Sequence, residues 1–212
     1  MKCWGSETMQ GSNPLAAIIP TLDGTGNLLL VSQIYRVGAI LGRPMILAVS
    51  DKFGVWNSRY DACQKLSQTL GKSPTEPFRA LMVDSDQNIE NPNVLAEYIL
   101  RADREGCSFM PSVRLKGQAG NVYAGGVSVD PATRDWDMIH PKGCGGLYYG
   151  NLYGGYPWHN DPFAGEDSYF LKENPYIVIR FAKRLDVSHY ARVKLSLHDV
   201  PFYQDKVRDS DK

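Results

Sequence analysis

The strongest constraint on folding is an alternation in the first half of the chain: short apolar segments of strand length, each followed by a stretch whose apolar residues recur at helical spacing. "LAAIIP" (15–20) closes in proline and then the Gly/Asp/Asn cluster "TLDGTGN", so it reads as a buried strand running into a loop. "LLLVSQIYRVGAILGRP" predicts a helix stopped by Gly42 and Pro44. "MILAVSD" is a second strand, "WNSRYDACQKLSQTLG" a second helix and "FRALMVDSD" a third strand. Strand, helix, strand in this order predicts right-handed parallel crossovers and an α/β fold.

The third strand ends unusually. Four apolar residues run into Asp84 and Asp86, separated by one serine. If the backbone stays extended, both carboxylates point to one side, and two like charges so placed need a cation, a proton or open water. They are not needed to cap the next helix. "NPNVLAEYILRADREG" carries its own punctuation, with Asn91 as N-cap, Pro92 at the first helical position and Gly106 beyond the end. Open parallel sheets bind ligands beyond the carboxyl ends of their strands. Residues 21–26, Ser50 to Asp51, and Asp84 to Asp86 are therefore expected to converge.

After residue 107 the pattern changes. "FMPSVRLKG" and "NVYAGGVSVD" predict antiparallel or edge strands, residues 143–156 read as a glycine- and aromatic-rich loop, and "YIVIRFA" and "ARVKLSL" predict late strands. The length suits one domain, residues 1–205, with 206–212 a charged tail expected to fray. Basic and acidic residues both number 23, which leaves no basic surplus for binding nucleic acid through its backbone. Cys3, Cys63, Cys107 and Cys144 are scattered, without the spacing of a zinc site or a disulfide framework, and fit a reducing compartment. No apolar run approaches the ~20 residues a membrane span needs. The expectation is a soluble, cytoplasmic protein.

Hard oxygen donors such as Asp84 and Asp86 suit Mg2+ or Mn2+, which commonly keep positions open for phosphate oxygens. A cation there would neutralise a diphosphate and stabilise it as a leaving group. "FAGEDSYF" adds Glu166 and Asp167 in a segment able to fold over the cleft, where a carboxylate can take a proton from an attacking hydroxyl. His189, or His198 nine residues on, offers an imidazole that tilts the preference toward Mn2+.

In order along the chain, "AIIPT", "AVSD", "NSRY", "MVDSD", a glycine loop, "GEDSYF" and a later histidine resemble the GT-A fold glycosyltransferases, above all the inverting family-two type. The resemblance covers about residues 15 to 190. It implies a Rossmann-like three-layer α/β/α sandwich with a mostly parallel central sheet and a small antiparallel acceptor-side portion. It also implies a nucleoside diphosphate sugar donor and an acceptor that is a glycan, a protein or a lipid-linked group. Asp84 and Asp86 stand at its D-x-D motif, Asp86 the more direct metal ligand and Asp84 nearer the ribose or metal. Asp51 and Arg59 match its nucleotide-base contacts with Thr21 beside them, and Gly145 and Gly146 the loop near the donor. Asp167 matches the catalytic base, Glu166 an acceptor-positioning acid and His189 the C-terminal metal ligand. "NSRYDA" departs from the family in having Tyr60 where asparagine is common. Two other readings stand beside this one: a sugar-phosphate nucleotidyltransferase, for which "DGTGN" would grip phosphate, and a catalytically silent carbohydrate-binding protein on the same fold.

Overall fold

The computed structural model describes residues 13–20, 28–50, 52, 55–116, 122–123, 132–140, 146–155, 170–171, 174 and 177–190. The first half follows the expected alternation: β1 (Leu15–Pro20), α1 (Leu28–Leu41), β2 (Met45–Ser50), α2 (Val55–Thr69) and β3 (Pro77–Val83). Then come β4 (Gln87–Ile89), α3 (Pro92–Glu105), β5 (Ser108–Lys116), β6 (Val122–Tyr123), β7 (Met138–Ile139), β8 (Leu147–Tyr153) and β9 (Ile179–Tyr190). The caps of α3 are those expected. The Asn91 side chain accepts from the N–H groups of Asn93 and Val94, Pro92 opens the helix, and Gly106 closes it at φ 64°.

The strands form one sheet in the order β2-β1-β3-β8-β5-β9-β4, with β6 on β5 and β7 on β9. β2, β1 and β3 are parallel, as crossovers require, and β5 and β9 are parallel again. The antiparallel component is central. β8 lies between β3 and β5 and is antiparallel to both. This corrects the reading of residues 143–156 as loop, since 147–153 is a strand whose Tyr148 and Tyr149 are both fully buried. Its glycine has a packing reason: a Cβ on Gly150 would run into Ser108 Oγ and the Tyr148 hydroxyl. The expected strand "ARVKLSL" and the tail 206–212 lie outside the described residues.

Side chains alternate across the sheet. Leu15, Ala17 and Ile19 of β1 with Leu81 and Val83 of β3 pack against Leu30, Ile34 and Val37 of α1 and Leu95, Tyr98 and Ile99 of α3. Ala16 and Ile18 with Ala80 and Met82 join a second cluster containing Ala62, Cys63 and Leu66 of α2. Both faces of the parallel strands are therefore covered, which is why these segments read as continuous apolar runs. Among the described residues, no helix is long and apolar enough to cross a membrane.

Two polar clamps hold the sheet to α3. At the amino end of the parallel strands, Asp103 accepts from Arg43 Nη1 (2.8 Å), Arg79 Nε (2.8 Å) and the Tyr149 hydroxyl (2.6 Å). The residues before β2, within β3 and within β8 thus meet on one carboxylate. The second clamp serves β9, whose pairing with β5 shifts register between Pro111 and Val113. The N–H groups of Lys183 and Arg184 in the shifted segment go to Asp135 Oδ1 (3.0 Å) and the Tyr98 hydroxyl (3.2 Å). Beside them Trp136 takes the left-handed φ of 71°, rare for a bulky residue. It is held there by stacking on Tyr98 at 5.3 Å and by Nε1 donating to Glu105 at 2.8 Å.

Burial, with the neighbouring carboxylates Asp103 and Asp135, pushes Tyr149 and Tyr98 up to about 12. Their ordinary value is 10.0, so both phenols ionise more readily unfolded than folded. Their contribution to stability is then fully present below pH 10 and drains away between pH 10 and about 12. Phenolate absorbance followed alongside circular dichroism will show these two rings titrating only as the fold is lost. Asp103→Ala, which strips three donors of their acceptor at a partly exposed site, should cost about 2 kcal/mol in urea unfolding.

Candidate functional site

The carboxyl ends of the parallel strands lie side by side, with Pro20 of β1 in register with Ser50 of β2, and Ile18 with Met82 of β3. Beyond Val83 the chain does not stay extended. The Gln87 N–H donates to the Asp84 carbonyl at 3.0 Å, closing a tight turn over Asp84, Ser85, Asp86 and Gln87. The condition under which both carboxylates would point one way is therefore not met. What fixes the turn is pairing on both flanks. The Ser85 N–H donates to the Pro20 carbonyl (3.2 Å) and the Asp84 N–H to the Gly146 carbonyl (2.8 Å).

Gly146 is required in two ways. Its φ is 83°, and a Cβ there would collide with the amide of Gln87, itself 3% exposed. This expected donor-loop glycine thus approaches the aspartate turn itself, and its backbone braces Asp84.

Arg59 is the main charge correction to the picture of two bare acids. It projects from α2, is 2% exposed, and places Nη2 at 3.0 and 3.1 Å from the two carboxylate oxygens of Asp84. Next to it, Ser50 Oγ donates to Asp61 Oδ2 (2.7 Å), which also meets Lys65 Nζ at 2.7 Å. Burial would raise the Asp61 carboxyl, but the bonds from Lys65 and Ser50 outweigh it and hold it below the usual aspartate range. Among the described residues, two ion pairs therefore line this end of the sheet. Asp86, partly exposed, accepts from Gln87 Nε2 at 3.4 Å.

β4 carries the turn to the far side of the sheet. It runs antiparallel to β9 with Gln87 opposite His189, Asn88 opposite Ser188 and Ile89 opposite Val187. The backbone of His189 is thereby brought beside the residue that follows Asp86, although a hundred positions separate them in the chain. α1 holds β4 from above. Gln33 Nε2 donates to Asn88 Oδ1 (2.5 Å), and the Ile89 N–H donates to Gln33 Oε1 (3.0 Å). Ser188 Oγ adds a bond to Glu90 at 2.6 Å.

Among the expected site residues, Arg59, Asp84, Asp86 and Gly146 are brought together, and the His189 backbone joins them. Thr21, Asp51, Gly145, Glu166, Asp167 and His198 lie outside the described residues, as does the His189 side chain. Among the described residues, no three His, Cys, Asp or Glu side chains converge as a metal cage. Gln33, Gln87 and Asp61 were not anticipated. The visible hint for Gln33 is a polar residue bordering the buried stripe Leu30, Ile34 and Val37 of α1.

No family model and no curated protein sequence matches the chain. Among solved structures, the crystal structure of A197 from STIV superposes with a TM-score of 0.53 at 14% identity, over 82% of this chain and 85% of that one. The shared property is the fold. The crystal structure of GalNAc-T7 with UDP, GalNAc and Mn2+ superposes with a TM-score of 0.47 at 11% identity, over 84% of this chain. The chain spans 44% of the length of that protein.

The bracing role of Gly146 is separable from its backbone conformation. Gly71 has a similar φ of 64° with nothing within 4 Å of a would-be Cβ. Gly71→Ala should therefore cost about 1 kcal/mol, and Gly146→Ala about 3 kcal/mol because packing against Gln87 is added. Urea unfolding of the two variants measures the difference.

Proposed function

We propose that the protein is a GT-A type glycosyltransferase that moves a sugar from a nucleoside diphosphate donor to an acceptor hydroxyl, with Asp86, Asp84 and His189 serving a divalent cation. One observation carries this reading: the β4–β9 register, which sets His189 opposite Gln87 and so beside the aspartate turn. The resemblance in sequence assigns those distant residues to one centre. The place of the turn, at the carboxyl ends of β1 and β3, is where α/β sheets bind nucleotides. Coverage of both sheet faces by helices accords with a three-layer arrangement.

The residue types fit Mn2+ or Mg2+, since the carboxylates of Asp84 and Asp86 suit hard cations and His189, whose backbone lies on the facing strand, would add an imidazole that suits a borderline one. When bound, the cation supplies positive charge to the departing diphosphate. The chain's own residues do the rest. Thr21, Asp51 and Gly145 take the nucleotide side of the cleft, and Gly146 fixes the backbone that presents Asp84. Asp167 accepts the acceptor's hydroxyl proton as its oxygen bonds to the anomeric carbon and the bond from that carbon to the phosphate oxygen breaks. Attack from the face opposite the leaving group inverts the configuration, and Glu166 orients the acceptor. The enzyme spans residues 1–205 as one unit and works in the cytoplasm.

A thermal-shift screen of nucleoside diphosphates with and without Mn2+ tests this directly. Binding is expected to strengthen at least about tenfold with Mn2+, a gain of roughly 1.4 kcal/mol, and Asp86→Ala should erase that gain. Tight binding that ignores both the metal and the substitution would remove the metal centre from the proposal.

A further inference from the structure

The solvent side of α1 is not the polar face that a helix covering a sheet ordinarily turns outward. Leu28 is 83% exposed and Tyr35 52%, with Leu29 and Ile40 also open to water. Leu28, Val31, Tyr35 and Gly38 recur at i, i+3, i+7 and i+10, so they form one stripe along the helix. Gly38 shows which way the stripe faces, because a Cβ there would meet the Met45 side chain of β2 at 2.5 Å. β2 is the outermost strand of the sheet, and among the described residues it pairs with β1 alone. Its sequence, MILAVS, holds no charge and no proline, the usual devices that blunt a free edge. Met45, Leu47 and Val49 pack on the α1 side and are only partly buried. An apolar helix flank therefore runs beside an open strand edge.

We propose that this flank and the free edge of β2 form the surface through which the protein pairs with a second copy of itself, β2 against β2 in antiparallel register about a two-fold axis, so that one sheet continues through both chains. An axis normal to the sheet sets the two α1 helices side by side on one face, stripe to stripe. Charge selects the occupant. A two-fold contact brings each charge near its own image, so a surface meant for its own copy has to be close to neutral. α1 and β2 together hold Arg36 and no other charge. A partner of different sequence or a membrane of anionic lipid would be met by complementary charges, which these two elements do not supply. Area points the same way. The apolar side chains open on α1 and half open on β2 amount to on the order of 600 Å2, where a standard interface takes about 800 Å2 from each partner with its polar rim included. The pairing does not depend on the reaction catalysed. Antiparallel contact turns the carboxyl ends of the two sets of parallel strands in opposite directions, so the two candidate sites open away from each other.

Sedimentation velocity of the full chain between about 1 and 100 μM tests the pairing, with a shift from monomer to dimer expected over that range. Leu28→Glu with Tyr35→Glu changes two exposed side chains, so the circular dichroism spectrum should hold while the dimer dissociation constant rises at least about a hundredfold. Leu28→Lys with Tyr35→Lys should do the same. Mixing the acidic and the basic variant should restore a dimer, because the flanks that repel within each variant attract across the mixture. Hydrogen exchange adds a readout at the strand itself: the amides of residues 45–50 should slow as concentration rises in the parent and not in the acidic variant. A monomer throughout, a dimer indifferent to the substitutions, a mixture that stays monomeric, or exchange at 45–50 that ignores concentration would each overturn the proposal. So would a monomer that floats with phosphatidylserine vesicles through Leu28 and Tyr35, which would assign the flank to a membrane surface.

Discussion

The placement of β8 between β3 and β5 is the constraint on which the rest depends, and Asp103 pins it. Its carboxylate joins Tyr149 to Arg79 and Arg43, so the antiparallel strand is anchored at the amino end of the parallel strands. A slip of one residue would exchange the two faces of β8 and expel one of two buried tyrosines from each cluster. With Leu81 paired to Tyr149, the start of β8 arrives beside Val83, and the Gly146 carbonyl reaches the Asp84 N–H. The aspartate turn at one edge of the sheet is thus aligned by an ion-pair cluster at the other.

At the carboxyl edge acids crowd together, and two basic side chains offset part of their repulsion. Arg59 is spent on Asp84, and Lys65 on Asp61. The two pairs differ in character. Lys65 is half exposed and contributes a screened, modest attraction, whereas Arg59 is nearly inaccessible and cannot be separated from its carboxylate cheaply. Burial, not proximity alone, makes the Arg59 pair the more consequential.

The first half of the fold was legible because its signals are local. The apolar runs of β1, β2 and β3, the helical spacing of α1 and the Asn91, Pro92 and Gly106 punctuation of α3 each sit within a few residues of the element they define. β8 was not legible, because its faces are both covered and alternation vanishes, while Gly150 and the tyrosines have loop-like composition. Their reason is contact with Ser108, Asp103 and Phe170, which no window along the chain contains. At the site, the sequence shows the acids and the late histidine, and the structure brings the aspartate turn and the His189 backbone side by side. The turn was not legible, since it is imposed by Pro20 at the end of β1 and by Gly146 just before β8. Nor was the role of Arg59, because an ion pair between a helix and a strand end leaves no spacing signature.

The insertion of β8 also bears on how the chain reaches this state. During synthesis β1, β2 and β3 emerge with their helices and can assemble by local crossovers, yet one edge of β3 stays unsatisfied until Leu147 to Tyr153 appear. Over that interval the nascent chain presents an apolar strand with open backbone donors and acceptors, the kind of surface that invites pairing with another molecule. Closure of the sheet is a late, long-range event, so speed of folding and exposure to chaperones depend on the interval between Val83 and Leu147.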